Sequence, residues 1–217
     1  MTSATSTVFL VDDDAAVLKA LSRLLTAKGY GVRTFGSAQL FIDEHDVSVP
    51  GCAVLDLAMP GVDGLQLQSV LGAGSAPRPV IFLTARGDVP ASVKAMKAGA
   101  VDFLSKPVNA KELIPAIERA VEQDAQGRRL RAELSEVSAK LSRLTPREKE
   151  VLSHVIAGRL NKQIAFAIGT GEKTVKVHRG RMMEKLGIRT VAELVRLAEK
   201  AGIAPTPGRA DDAGYFP

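Results

Sequence analysis

A chain of 217 residues, 46% of them hydrophobic, has room for one large domain or two modest ones and enough apolar content to exclude wholesale disorder. It contains no apolar run of about eighteen residues, and a lone cysteine, Cys52, which exclude a spanning helix, an internal disulfide and a multi-cysteine zinc site. The net charge of +5 is uneven: residues 1–124 carry 11 basic and 14 acidic side chains while residues 143–203 carry 13 and 6, so two domains with different partners are expected, the second suited to nucleic acid.

The polar stretch Met1–Thr7 and the short run Val8-Phe9-Leu10-Val11 do not make a secretory leader, and a soluble cytoplasmic protein with no membrane partner is expected. Val8–Val11, Val32–Phe35, Ala53–Leu57, Val80–Leu83 and Asp102–Ser105 read as strands. Two are continuous apolar runs, as when helices cover both faces of a parallel sheet. Helix-period segments lie between and after them: Ala15–Lys28, Ala38–His45, Leu65–Leu71, Val89–Ala98 and Ala110–Glu122. Five βα units predict an α/β domain over 1–124 with a five-stranded, doubly wound parallel sheet, whose ligands sit at the carboxyl ends of the strands. Cys52, at the start of an apolar stretch, reads as a buried structural thiol.

Residues 125–142 are expected to form a helical linker, with Gly127 as a possible break. Leu130, Leu134, Val137, Leu141 and Leu144 follow 4-3-4-3 spacing. That pattern fits either a helix packed on its own domains or a short coiled coil between protomers, and two heptads do not decide between them. Over 143–203 the pattern is all helical: Pro146–Ala157, Lys162–Ile168, Glu172–Leu186 and Val191–Ala201. Thr145, Pro146 and Glu148 make a capped helix start. Residues 204–217, rich in proline and glycine, are expected to be a disordered tail.

The chemistry gathers at strand ends. Asp12, Asp13 and Asp14 follow the first strand and Asp56 ends the third, and these ends are neighbours in a doubly wound sheet. Converging carboxylates repel one another unless a cation sits among them. All-oxygen ligands favour a hard ion in an open site, Mg2+ or Mn2+. Thr84 closes the fourth strand with a hydroxyl and Lys106 the fifth with an ammonium. Nucleophilic carboxylate, metal, hydroxyl and lysine together form a phosphoryl-accepting site. Phosphatases of the haloacid dehalogenase type share the first two, but they place a second acid two residues after the nucleophile. Here that position is Ala58, so no enzyme is expected.

Phe9-Leu10-Val11-Asp12-Asp13-Asp14, Leu55-Asp56-Leu57-Ala58-Met59-Pro60-Gly61, Leu83-Thr84-Ala85 and Ser105-Lys106-Pro107 resemble the landmarks of a receiver domain. Gly87-Asp88-Val89-Pro90 and Ala95-Met96-Lys97-Ala98-Gly99-Ala100 resemble its FixJ-like branch. The resemblance implies the flavodoxin-like strand order 2-1-3-4-5 and Asp56 as phosphoacceptor. It implies that Asp13, Asp12, Asp56 and the backbone carbonyl of Ala58 hold Mg2+, and that Lys106 pairs with the phosphoryl group. Thr84 and Phe103 would be the switch residues, and a cis peptide would precede Pro107.

In the basic segment, Asn161-Lys162-Gln163-Ile164-Ala165 and Lys173-Thr174-Val175-Lys176-Val177-His178 flank a tight turn, and the second helix also carries Arg179, Arg181 and Lys185. A helix with such a face suits the major groove. With Leu144-Thr145-Pro146-Arg147-Glu148, these residues resemble a LuxR-type helix-turn-helix domain, and the whole chain resembles the NarL/FixJ family of response regulators. The resemblance implies DNA contacts from Asn161, Lys162, Lys173, Thr174, Lys176, Val177, Arg179 and Arg181. It implies as partners a sensor histidine kinase, double-stranded promoter DNA and RNA polymerase, with a homodimer formed on phosphorylation. Thr170 and Gly171 depart from the family's apolar residue and serine cap, so a looser turn is expected. With no tryptophan and few tyrosines, the chain lacks a stacking platform for RNA. A receiver serving as a constitutive dimer platform would keep DNA binding without the switch, but the pocket residues are all present.

Overall fold

A computed structural model describes residues 6–74, 76–84 and 89–206. It divides into two compact units, Met1–Arg129 and Leu130–Pro217.

The first unit alternates strands and helices: β1 (Thr7–Val11), α1 (Ala15–Ala27), β2 (Gly31–Phe35), α2 (Ala38–Glu44), β3 (Gly51–Asp56), α3 (Gly64–Gly72), β4 (Val80–Thr84), α4 (Val89–Lys97), β5 (Asp102–Ser105) and the start of α5 (Ala110–Ser142). The strands pair in parallel in the order β2-β1-β3-β4-β5, the order that the resemblance to receiver domains implies. Strand alternation sorts the core into two layers. Phe9, Val11, Ala53, Leu55 and Phe82 pack on one face with Phe41, Leu67 and Ala95. Val8, Leu10, Cys52, Val54, Ile81 and Leu83 pack on the other with Leu25, Leu113 and Ile117. Burial pushes the Cys52 thiol up to about 12, as befits a structural cysteine. Asp14 caps α1, accepting from the Ala16 N–H at 2.8 Å. Asp63 and Gln66 form a capping box on α3.

At the amino ends of the strands, two arginines hold the segment that enters β3. Arg78, buried beneath the Phe9 ring, donates to the carbonyls of Asp46, Val49 and Gly51. Arg128 donates to those of Val47, Ser48 and Val49. The Thr7 N–H takes the Pro50 carbonyl at 3.0 Å. Every carbonyl from residue 46 to 51 therefore has a donor. Buried Asp124 accepts from the Gly51 N–H at 2.8 Å and pairs with Arg128 at 2.6 Å. Burial and then the Arg78 guanidinium push His45 down to about 4, leaving it neutral to accept from Arg78 Nε at 2.8 Å. Gly51 has φ +142°, and a Cβ there would lie 1.8 Å from the Thr7 carbonyl oxygen.

The possible break at Gly127 does not occur: α5 runs unbroken for 33 residues. A glycine costs a helix roughly 1 kcal/mol. Here the Asp124–Arg128 pair spans that turn and ties it to the β3 entry. The boundary between the two units falls inside this helix, after Arg129.

The second unit holds the last turns of α5, then α6 (Pro146–Ile156), α7 (Asn161–Ala167), α8 (Glu172–Leu186) and α9 (Val191–Lys200). Leu144, Val151, Leu152, Val155, Ile164, Val175, Met182, Leu186 and Leu194 form its core. Thr145 caps α6 in a capping box with Glu148, as its sequence predicts. Buried Glu148 also pairs with Lys185 of α8 at 2.6 Å. Of the expected tail, Thr206 bonds back to Ser153 through its N–H at 3.1 Å and its hydroxyl at 2.9 Å; residues 207–217 lie outside the described residues. Among the described residues no helix is long and apolar enough to cross a membrane.

Candidate functional site

Parallel pairing in this order brings the carboxyl ends of β1, β3, β4 and β5 to one edge. Asp12 follows β1 and Asp56 ends β3, both nearly buried, while Asp13 is exposed beside them. Ligand oxygens of Asp12, Asp13 and Asp56 lie within 4.8 Å of one another. Lys106, just past β5, places Nζ 2.6 Å from Asp12 Oδ2 and 3.1 Å from Asp56 Oδ2. Partial burial lowers the pKa of this ammonium, but its bonds to Asp12 and Asp56 outweigh that and hold it above the ordinary lysine value. Thr84 ends β4 and is buried, and its carbonyl accepts from the Lys106 N–H. The Lys106–Pro107 peptide is cis. Phe103 on β5 is half-buried, 6.1 Å from the Phe82 ring centroid. Ala58 is exposed in the connection from β3 to α3.

The cluster has the donor set of a hard-cation site. Asp12 Oδ1 accepts from the Asp14 N–H at 2.9 Å. Its Oδ2 is buried, and Lys106 Nζ, at 2.6 Å, is the donor placed against it. An anionic oxygen so placed has capacity for a metal ion, and the three carboxylates supply no nitrogen or sulfur that would favour a softer one.

In the second unit α7 and α8 are joined by a turn whose cap, Gly171, has no side chain to bond the helix start. Lys173, Val177 and Arg181 follow one another at four-residue spacing on the exposed face of α8, opposite buried Val175, Met182 and Leu186, with Thr174 and Lys176 exposed beside them. Arg179 lies on the flank and donates to Asn161 Oδ1 on α7 at 3.1 Å. Lys162 is exposed one residue further on.

Residues 8–118 match the family described as response regulator receiver domain, and residues 142–198 match bacterial regulatory proteins of the luxR family. The transcriptional regulatory protein FixJ of Bradyrhizobium diazoefficiens is 40% identical over 196 residues, which cover 90% of this chain and 96% of that protein. The chain is a NarL/FixJ-family response regulator. Nodulation protein W of the same organism is likewise 40% identical, over 91% of this chain and 87% of its own length. Among solved structures, response regulator StyR superposes with a TM-score of 0.82 at 45% identity, covering 91% of this chain and all of that one. Full-length FixJ from B. japonicum gives a TM-score of 0.56 at 39% identity over 93% of this chain.

The response regulator thus joins a receiver, which implies a histidine kinase partner, to a LuxR-type DNA-binding domain. It serves transcriptional regulation and is not an enzyme. Receivers bind Mg2+ at an acidic pocket, and this regulator has the aspartate cluster for one. What its sequence did not signal is the buried polar scaffolding of the receiver. Arg78 and Asp124 are buried charges, and Gln68 is a buried amide. Only the position of Gln68 within the apolar stripe Gly64, Leu67, Leu71 hinted that it points inward.

Proposed function

We propose that Asp56 is the phosphoacceptor of this regulator and that its phosphorylation drives dimerisation and promoter binding. The observation that carries this reading is the ammonium of Lys106 lying between Asp12 and Asp56, beside the β4 end that carries Thr84. An Asp56 carboxylate oxygen attacks the phosphorus of a phosphohistidine. The bond from phosphorus to the donor nitrogen breaks, and the leaving imidazole takes up a proton. Asp12, Asp13, Asp56 and the Ala58 carbonyl would hold Mg2+ or Mn2+, which when bound neutralises charge on the phosphoryl oxygens. Lys106 already faces the acceptor oxygen and pairs with the incoming phosphoryl group. The Thr84 hydroxyl then turns toward the phosphate, and Phe103 fills the space it leaves.

In this reading residues 1–124 are the receiver, 125–142 the linker and 143–203 the DNA-binding domain. Lys173, Thr174, Lys176, Val177 and Arg181 face the DNA, with Asn161, Lys162 and Arg179 at its backbone. A dimer presents two such modules to paired half-sites, which multiplies the phosphate contacts and raises affinity steeply. RNA polymerase is the further partner of an activator. The test is molar mass in solution with Mg2+, with and without beryllofluoride, for the wild type and Asp56→Asn. A shift from monomer to dimer in the wild type alone is expected; the same mass in all four samples would overturn the switch.

A further inference from the structure

Among the described residues the Gln68 Oε1 atom is buried without a hydrogen-bond partner. Gln68 sits on the buried stripe of α3 with Gly64, Leu67 and Leu71, where an apolar side chain would pack without burying a polar group. Its amide crosses instead to α4. Nε2 lies 3.2 Å from the carbonyl oxygen of Ala95 and 3.2 Å from that of Ala98. Those carbonyls belong to the end of α4, where the Ala100 N–H bonds to Ala95 and the Gly99 N–H to Met96, both at 3.0 Å. This is a Schellman ending, and the amide adds a second bond to the Ala95 carbonyl and one to that of Ala98. Because both partners are acceptors, the nitrogen must face them, and the oxygen is the atom left unpaired.

α3 is the first helix after Asp56, and α4 is the first after Thr84. One side chain therefore joins the two helices that trail the acceptor and the hydroxyl. We propose that Gln68 is a positioning residue that latches the end of α4 to α3 in the unphosphorylated receiver, and that phosphorylation releases it. This rests on the reading of Asp56 and Thr84 given above. Movement of Thr84 toward a phosphoryl group acts on the element that follows it in the chain, α4, and the two bonds made by Gln68 oppose a shift of the end of that helix. The unpaired oxygen makes the latched arrangement incompletely satisfied, which lowers the cost of leaving it.

Hydrogen exchange of the full-length protein in Mg2+ tests the latch, comparing wild type and Gln68→Met with and without beryllofluoride. Methionine keeps the length of the side chain and removes the amide; Gln68→Leu serves if Gln68→Met does not fold. Beryllofluoride is expected to speed exchange at amides 98–100 of the wild type by about tenfold, as for loss of one or two hydrogen bonds. Gln68→Met without it should already exchange at that rate, with the rest of the sheet unchanged. Faster exchange throughout the variant would make Gln68 a packing residue and overturn the latch. So would unchanged amides 98–100 in wild type while amides 57–63, beside Asp56, respond to beryllofluoride. If neither set responds, the reading of Asp56 falls together with the latch.

Discussion

Lys106 is the cation of the acidic cluster in this structure, 2.6 Å from Asp12 and 3.1 Å from Asp56. It therefore competes with any metal ion for the same carboxylates. Lys106→Met is expected to tighten Mg2+ binding about tenfold, the effect of removing one like charge a few ångströms from the ion in a half-hydrated cleft. The same variant should lose the mass shift with beryllofluoride, and titration calorimetry and light scattering read the two effects. Gly64 lies against the acceptor's own backbone. A Cβ there would sit 2.5 Å from the Asp56 carbonyl oxygen and 2.9 Å from the Phe82 ring. Gly64→Ala is expected to destabilise the receiver by about 1–3 kcal/mol through overpacking, visible as a lower melting temperature. The pocket was legible from sequence because its residues stand at the ends of recognisable strands, where the fold dictates convergence. Arg78, Asp124 and Gln68 were not, because a buried polar side chain is defined by distant backbone groups that no local pattern announces.

At the scale of elements, all five strands and, α5 apart, the helices of both units fall where hydrophobic periodicity puts them, with ends differing by a residue or two. Buried parallel strands and amphipathic helices write their periods plainly into sequence. The linker is helical, as its pattern predicts, but the break that Gly127 allowed is absent: a glycine is a local signal, whereas the bonds of Asp124 and Arg128 to the β3 entry that hold α5 past it are tertiary. The α6–α8 contact makes a further prediction. Burial raises the pKa of the Glu148 carboxyl, but its bonds with Lys185 and Thr145 outweigh this and hold it below the ordinary value of 4.5. A depressed pKa contributes stability above the ordinary value, and that stability is lost as pH falls below it. Glu148→Gln keeps the capping-box geometry and removes the ion pair. It should cost about 1–3 kcal/mol near neutrality, with the gap to wild type closing below pH 4.5. Thermal unfolding between pH 3 and 7 measures it.

Across the whole molecule, the acidic receiver and the basic DNA-binding domain divide the charge, with 13 basic against 6 acidic side chains over residues 143–203. Binding to promoter DNA should weaken steeply with salt. Lys162→Ala should flatten the log–log slope by about 2 for a dimer, one lost phosphate contact in each protomer. Val177→Ala should lower affinity and leave the slope unchanged, and fluorescence anisotropy over a salt series separates the two. The exposed segment entering β3 has another consequence for the chain as a physical object. A protease must draw several residues into an extended strand before it can cut. From residue 46 to 51 every carbonyl is already held, by Arg78, Arg128 or Thr7. A stretch that looks from its exposure like an easy place to nick the receiver, or to splice in a reporter, is among its most firmly fastened.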